Sequence, residues 1–298
     1  MLERPVAVTD AEVLAAVRRH WAPEVDSVAH LPVGWGGHHW RAEAAGEPAL
    51  FVTLDIPLPR HTAASLEGAY GAAAAAAEVL DFVWPSLPTH SGRFTVPLSW
   101  GTLSVTRWLD GEQPATSTTE LPDMLSRLHA VAPPATAPEW STTVAASLSA
   151  DLVDLAARAW ASPLGPTARE LVRDHLSDVA GWAAEHASLL TRVDRSSYVL
   201  THGEPGVHNQ WQAAGRVWLI DWESLQLAPR ERDLATLVHE GVPVAADPAM
   251  VRLFDLEWRL SEIWSFATWL HEPHTDGPDD RQALAGLRHE LERPHFGT

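Results

Sequence analysis

A chain of 298 residues with 46% hydrophobic content is large enough for one two-lobed domain or two small ones. Its 39 acids against 21 basic residues leave a formal net charge of −18, which excludes the basic footprint that nucleic acid requires. The same acidity suits electrostatic steering of a cationic small molecule, and equally a surface that is simply soluble.

No apolar run approaches the length of a membrane span, and the opening MLERPVAVTDAE lacks the apolar segment of a signal peptide. With no cysteine there are no disulfides and no thiol chemistry, so a soluble cytoplasmic protein is expected. Every basic residue is arginine; the chain holds no lysine.

In chain order, Thr9 or Asp10 can cap a helix that carries Val13, Leu14 and Val17 and ends near Trp21. Strand-like runs follow at 25–31, 38–43 and 49–54, with the glycine-rich turn Gly34-Trp35-Gly36-Gly37 between the first two. The alanine-rich stretch 62–80 predicts a helix, with Glu67 and Glu78 read as surface charges. Further strands are expected at 82–84, 93–99 and 102–108. Beyond them, Leu121, Met124, Leu125, Leu128 and Val131 recur at helical spacing up to Pro133-Pro134. Helices are expected at 147–161 and 167–190, then from Asp233 to Val238 and across 249–271, followed by a final short helix.

The stretch 198–237 carries the chemistry. It reads as a short apolar strand at 198–200, a polar loop with His202, Glu204, His208 and Asn209, and a turn at Ala214-Gly215. A second strand at 217–220 then runs into Asp221-Trp222-Glu223. Two strands that each end on an acid, with an amide between them, bring Glu204, Asn209 and Asp221 to one edge of a hairpin-like unit. An Asp ending a buried apolar strand is costly unless paired or metal-bound. Two carboxylates and an amide oxygen facing one another suit a hard divalent cation and a nucleophile to be oriented. The sixteen histidines do not make a zinc site, because no HExxH helix or cysteine partner accompanies them. No Gly-x-Ser-x-Gly elbow supports a serine hydrolase.

These residues resemble the aminoglycoside phosphotransferase and choline kinase-like family, a small-molecule branch of the protein-kinase fold. The loop His202-Gly203-Glu204 resembles the family's His-Gly-Asp, and Asn209 stands five residues after the acid. Ile220-Asp221-Trp222 resembles its strand end, and Asp233-Leu234-Ala235 its downstream Asp-Leu-Ala. Glu204 departs from the usual Asp.

The resemblance implies an α+β, bilobal protein-kinase-like fold. An N-terminal nucleotide-binding lobe, residues 1–107, would hold an antiparallel sheet and a helix; a mainly helical C-terminal lobe, residues 108–298, would hold the catalytic and acceptor sites. It also implies ATP or GTP and Mg²⁺ as cofactors, with phosphate passing to a hydroxyl of an aminoglycoside-like antibiotic or related metabolite. Glu204 would align the acceptor hydroxyl, while Asn209 and Asp221 would hold the metal. Gly34, Gly36, Gly37, Thr53, Thr106 and Trp108 would meet the nucleotide, the last two at the hinge. Glu257, Trp258 and Glu262 on the late aromatic helix would meet the acceptor.

His202 is expected to hold the loop, as is Asp233 through backbone amides. Glu223 would stand behind the site, and His208 would serve shape or touch the metal. Thr53 occupies the position of the family's phosphate-binding lysine, leaving Arg41, Arg60, a helix N-terminus or the metal to meet the phosphate charge. That departure also allows a degenerate kinase fold that binds a ligand without transferring phosphate.

Overall fold

The computed structural model describes residues 1–56 and 61–295. It forms two compact units, one of Met1–Trp140 with Ser197–Asp233, the other of Ser141–Ser196 with the chain from Leu234 onward. The lobe boundary expected after Arg107 falls inside the first unit.

In the first unit, α1 (Asp10–His20) starts at a reciprocal cap: the Glu12 amide donates to the Thr9 hydroxyl at 3.2 Å, and the Thr9 amide donates to the Glu12 carboxylate at 2.8 Å. Then come β1 (Ser27–Leu31), β2 (Gly37–Glu43), β3 (Leu50–Asp55), α2 (Ala63–Ala77), β4 (Val96–Leu98) and β5 (Gly101–Arg107). The strands form one antiparallel sheet in the order β1-β2-β3-β5-β4.

Alternation sorts its side chains onto two faces. Trp40, Ala42, Val52, Leu54, Leu103 and Val105 are buried in one core with Val13 and Val17 of α1. Each large aliphatic side chain so buried contributes about 1.5–3 kcal/mol. The opposite face carries His39, Arg41, Phe51, Thr53, Asp55 and Ser104; it is the polar side of the sheet.

The strand expected at 82–84 is only a single bridge from Val83 to Leu219. Pro85 and Pro88 lack the amides that would extend it. Glu67 is not a plain surface charge: its carboxylate accepts from the amides of Phe94 and Thr95, both at 3.0 Å.

The unit continues with α3 (Leu121–His129), β6 (Val199–Thr201), β7 (Gln210–Ala213), β8 (Arg216–Leu219) and β9 (Gln226–Ala228). The hairpin partner of β8 is β7, turned at Ala214 and Gly215 with φ of 50° and 75°. The strand at 198–200 pairs with β9 instead. Strand β7 escapes sequence reading because Gln-Trp-Gln looks like loop; its pairing shows in the cross-strand Trp211–Trp218 match.

The second unit is helical: α4 (Leu148–Ala157), α5 (Gly165–Asp174), α6 (Leu176–Leu190), α7 (Glu231–His239, which begins in the first unit), α8 (Pro248–His271) and α9 (Pro278–Glu292). The helix expected over 167–190 is interrupted at His175, whose ring Nδ1 bonds the Leu171 carbonyl at 2.9 Å. Helix α8 packs against α6 and α9. Among the described residues no helix is long and apolar enough to cross a membrane.

Candidate active site

The loop from His202 to Asn209 is fixed by backbone bonds before any chemistry is asked of it. Asp233 is fully buried and accepts from the amides of His202 at 3.0 Å and Gly203 at 2.7 Å, and its third contact is the His129 ring at 2.9 Å. Burial opposes its ionisation, but the bonds from His129 and the Gly203 amide more than offset this and hold its carboxyl below the usual range.

Burial lowers the basicity of the His202 ring. Its Nε2–H donates to the Ile220 carbonyl at 3.0 Å and its Nδ1 accepts from the Glu204 amide at 3.3 Å, which together define the tautomer. The Trp222 ring lies against it, centroids 4.4 Å apart and planes tilted by 47°. Gly203 takes φ of +97°, and a Cβ there would run into the Arg232 guanidinium. That guanidinium donates to the Thr201 hydroxyl at 3.1 Å and the Ser224 carbonyl at 2.8 Å.

These ties bring the three residues together. The Asn209 side-chain amide donates to the Glu204 carbonyl at 2.9 Å, and the Ile220 amide donates to the Asn209 carbonyl at 3.0 Å. Asn209 is therefore locked between the acid of the loop and the acid that follows β8. The Glu204 carboxylate accepts from the Ser224 hydroxyl at 3.2 Å, and His208, largely exposed, stands 4.0 Å from it. Asp221 adopts φ of +64°, a left-handed conformation that Asp and Asn tolerate better than most residues.

Sequence reasoning missed the size of the acidic group. Asp55, at the end of β3, hydrogen-bonds Glu223 and accepts from the Tyr70 hydroxyl of α2 at 3.1 Å. Burial first, then Glu223, pushes the Asp55 carboxyl well above the usual range. Asp221 is open to solvent. Its carboxyl is nonetheless pushed well up, by the surrounding protein and then by Glu223, Glu204 and Asp55. The signal for Asp55 was present: it shares the polar face of the sheet with Thr53, two residues along β3.

The cluster of Asp55, Asp221, Glu204 and Glu223, in which the Asp55 and Asp221 carboxyls are pushed up, fits a bound cation. The Asn209 side chain fits too, because its NH₂ is spent on Glu204 and its oxygen is left as a donor to a metal. Among the described residues no three His, Asp or Glu side chains stand in positions to hold a metal ion by themselves.

Of the predicted nucleotide contacts, Gly34 and Gly36 form a turn with φ of 72° and 88°, and Gly37 opens β2. Thr53 pairs across β2–β3 with His39 and across β3–β5 with Ser104. Thr106 lies near the end of β5. Trp108 follows it, its amide donating to the Ala49 carbonyl at 2.9 Å. Arg41 pairs with Glu43 at 2.8 Å and lies over the Trp108 ring at 4.4 Å. Arg60 lies outside the described residues.

The predicted acceptor residues lie on α8 in the second unit. Glu257 accepts from the Thr142 hydroxyl at 2.7 Å, the Thr143 amide at 2.7 Å and the His186 ring at 2.6 Å. Against the opposing effect of burial, these bonds hold its carboxyl below the usual range. Trp258 is half-buried and Glu262 buried on the same helix.

Residues 27–270 match the model of the phosphotransferase enzyme family, most of the chain. The chain belongs to that family. It is 29% identical over 242 residues to the protein StrN of Streptomyces griseus, covering 72% of each chain. Among solved structures, the phosphotransferase chain shares its fold with spectinomycin phosphotransferase bound to ADP and spectinomycin. The TM-score is 0.72 at 11% identity, over 96% of this chain and 95% of that one. Amicoumacin kinase, solved with AMP-PNP, Ca²⁺ and its antibiotic, is similar at TM-score 0.55 and 12% identity, over 96% and 93% of the two chains. The α+β kinase-like fold expected from the sequence is the fold of this family.

Proposed function

We propose that this phosphotransferase moves the γ-phosphate of ATP or GTP, with Mg²⁺, to a hydroxyl of a cationic, antibiotic-like small molecule. The observation that carries the reading is the placement of the triad by two hydrogen bonds: the Asn209 side-chain amide donates to the Glu204 backbone carbonyl at 2.9 Å, and the Ile220 amide, just before Asp221, donates to the Asn209 backbone carbonyl at 3.0 Å.

Asn209 and Asp221 would hold the metal, which when bound neutralises the developing charge on the phosphates. Glu204 would accept the hydroxyl proton and align the acceptor oxygen. Because phosphoryl transfer passes through a loose transition state, positioning matters more than basicity, so a Glu can serve where relatives of this pattern carry Asp. The Ser224 hydroxyl at 3.2 Å steadies that longer side chain. The sheet's polar face with Gly34, Gly36, Gly37 and Thr53 would cover the phosphates, and Thr106 and Trp108, at the end of β5, would meet the base. The net charge of −18 supports a cationic acceptor. Glu257, Trp258 and Glu262 on α8 would meet the acceptor, with the Glu257 carboxylate already held by Thr142, Thr143 and His186.

The test is transfer of label from γ-labelled ATP or GTP, with Mg²⁺, to a panel of aminocyclitols, amino alcohols and neutral sugars. Label on a cationic hydroxyl compound, lost on Glu204→Gln, supports the reading. Nucleotide binding with no transfer to any acceptor favours a ligand-binding kinase fold, the reading that Thr53 in place of lysine supports.

A further inference from the structure

On β3 the position of the missing lysine holds Thr53, and the group beside it is a histidine. His39 lies directly opposite Thr53 in the β2–β3 register, its Nδ1 3.2 Å from the Thr53 hydroxyl. Its ring is stacked on Phe51 with centroids 5.0 Å apart and planes 28° from parallel. The rest of the ring is turned to the glycine turn. A Cβ on Gly34 would meet Nε2 at 3.1 Å, and one on Gly37 would meet Cε1 at 3.6 Å.

Burial pushes His39 down to about 3, so at neutral pH the ring is uncharged and carries one proton. In the tautomer in which the Thr53 hydroxyl donates to Nδ1, that proton sits on Nε2, the edge that faces the turn. Arg41, the cation of the same sheet face, is committed to Glu43 at 2.8 Å and to the Trp108 ring at 4.4 Å. The N-terminal ammonium stands at the same turn, donating to the Val33 carbonyl at 2.9 Å and the Gly37 carbonyl at 2.5 Å, so a phosphate under the glycine turn would meet the His39 ring beside that cation.

We infer that the Nε2–H of His39, set by Thr53, donates a hydrogen bond to the nucleotide's phosphates and takes over part of the task of a strand lysine. The inference rests on the phosphotransferase reading above. It gives this chain a neutral donor in place of a point charge, a directional bond to one phosphate oxygen.

The test is calorimetry of the Mg²⁺ complex of ATP or GTP, with the matching nucleoside as control, on wild type, His39→Ala, His39→Gln and Thr53→Val. A lost hydrogen bond to a charged group weakens triphosphate binding roughly ten- to a hundredfold in His39→Ala. Nucleoside binding stays within about twofold, since only the phosphates meet the ring. Gln places an amide N–H near Nε2 and recovers most of the loss. Thr53→Val, which frees the tautomer, loses several-fold and guards against a His39→Ala that fails to fold. Equal losses for triphosphate and nucleoside, or a Gln variant as weak as Ala, would make His39 only a stacking residue of the sheet and overturn the inference. Wild type that binds neither triphosphate nor nucleoside would overturn the phosphotransferase reading itself, and the inference with it.

Discussion

Replacing Asp221 with Asn is expected to stabilise the metal-free protein while abolishing its Mg²⁺-dependent nucleotide binding. Asp221 faces Glu223, Glu204 and Asp55, and its carboxyl is pushed up by the surrounding protein and by those three acids. An Asn is nearly isosteric, accepts the φ of +64° and removes the charge. Because Asp221 is open to solvent on one side, water screens much of the repulsion. The gain is about 1 kcal/mol rather than several. That is a rise of roughly 2–4 °C in Tm for a domain of this size.

The pH dependence has a definite sign. A carboxyl whose folded pKa is raised binds protons more tightly in the native state. Metal-free wild type therefore gains stability as pH falls from neutrality through the raised value, down to the unfolded value of 3.8. Asn cannot titrate, so the Tm advantage of Asp221→Asn is widest near pH 7–8 and closes toward pH 4. Thermal unfolding in EDTA across that range measures it. An Asp221→Asn protein less stable than wild type at pH 7.5, with a gap that does not change with pH, would refute the idea of a strained acidic site awaiting a cation.

Three other substitutions separate chemistry from scaffolding. Glu204→Gln should lower kcat by about 10²–10⁴ with little change in nucleotide affinity, as steady-state kinetics on an identified acceptor would show. Asp233→Asn leaves two backbone amides and His129 facing an amide, and should cost about 3–5 kcal/mol by urea unfolding. Since the Asp233 carboxyl is held low, its contribution is present above pH 3.8 and is lost as pH falls through the folded value. Unchanged stability in the variant would show that the loop is held by something else. Glu257→Gln should cost about 1.5–3 kcal/mol through its bonds to Thr142, Thr143 and His186. A raised acceptor KM with unaltered Tm would instead make contact with the acceptor its main role.

The residues most readable in the sequence are those whose roles are local. His202, Glu204, Asn209 and Asp233 lie within one loop and the helix start after it, so order and spacing alone suggest their meeting. Asp55 and Tyr70 are harder to read for the opposite reason, since the alternation along β3 gives the face of Asp55 but not its partner. They reach the site from a strand and a helix more than 150 residues earlier in the chain, and only the fold makes Asp55 a neighbour of Glu223. The pairing of β6 with β9, around the β7–β8 hairpin, was hidden in the same way, because contiguity in sequence favoured the wrong partner. His39 carries no signal in the sequence; its meaning comes from standing opposite Thr53 across the sheet.

The most direct measurement is titration of wild type and Asp221→Asn with ATP and with GTP by calorimetry, with and without Mg²⁺. The account predicts that wild type binds at least one of the two only when Mg²⁺ is present, and that Asp221→Asn loses that binding while remaining folded. Binding that ignores Mg²⁺, or that survives in Asp221→Asn unchanged, would contradict the assignment of Asn209 and Asp221 as the metal-holding pair of a working phosphotransferase.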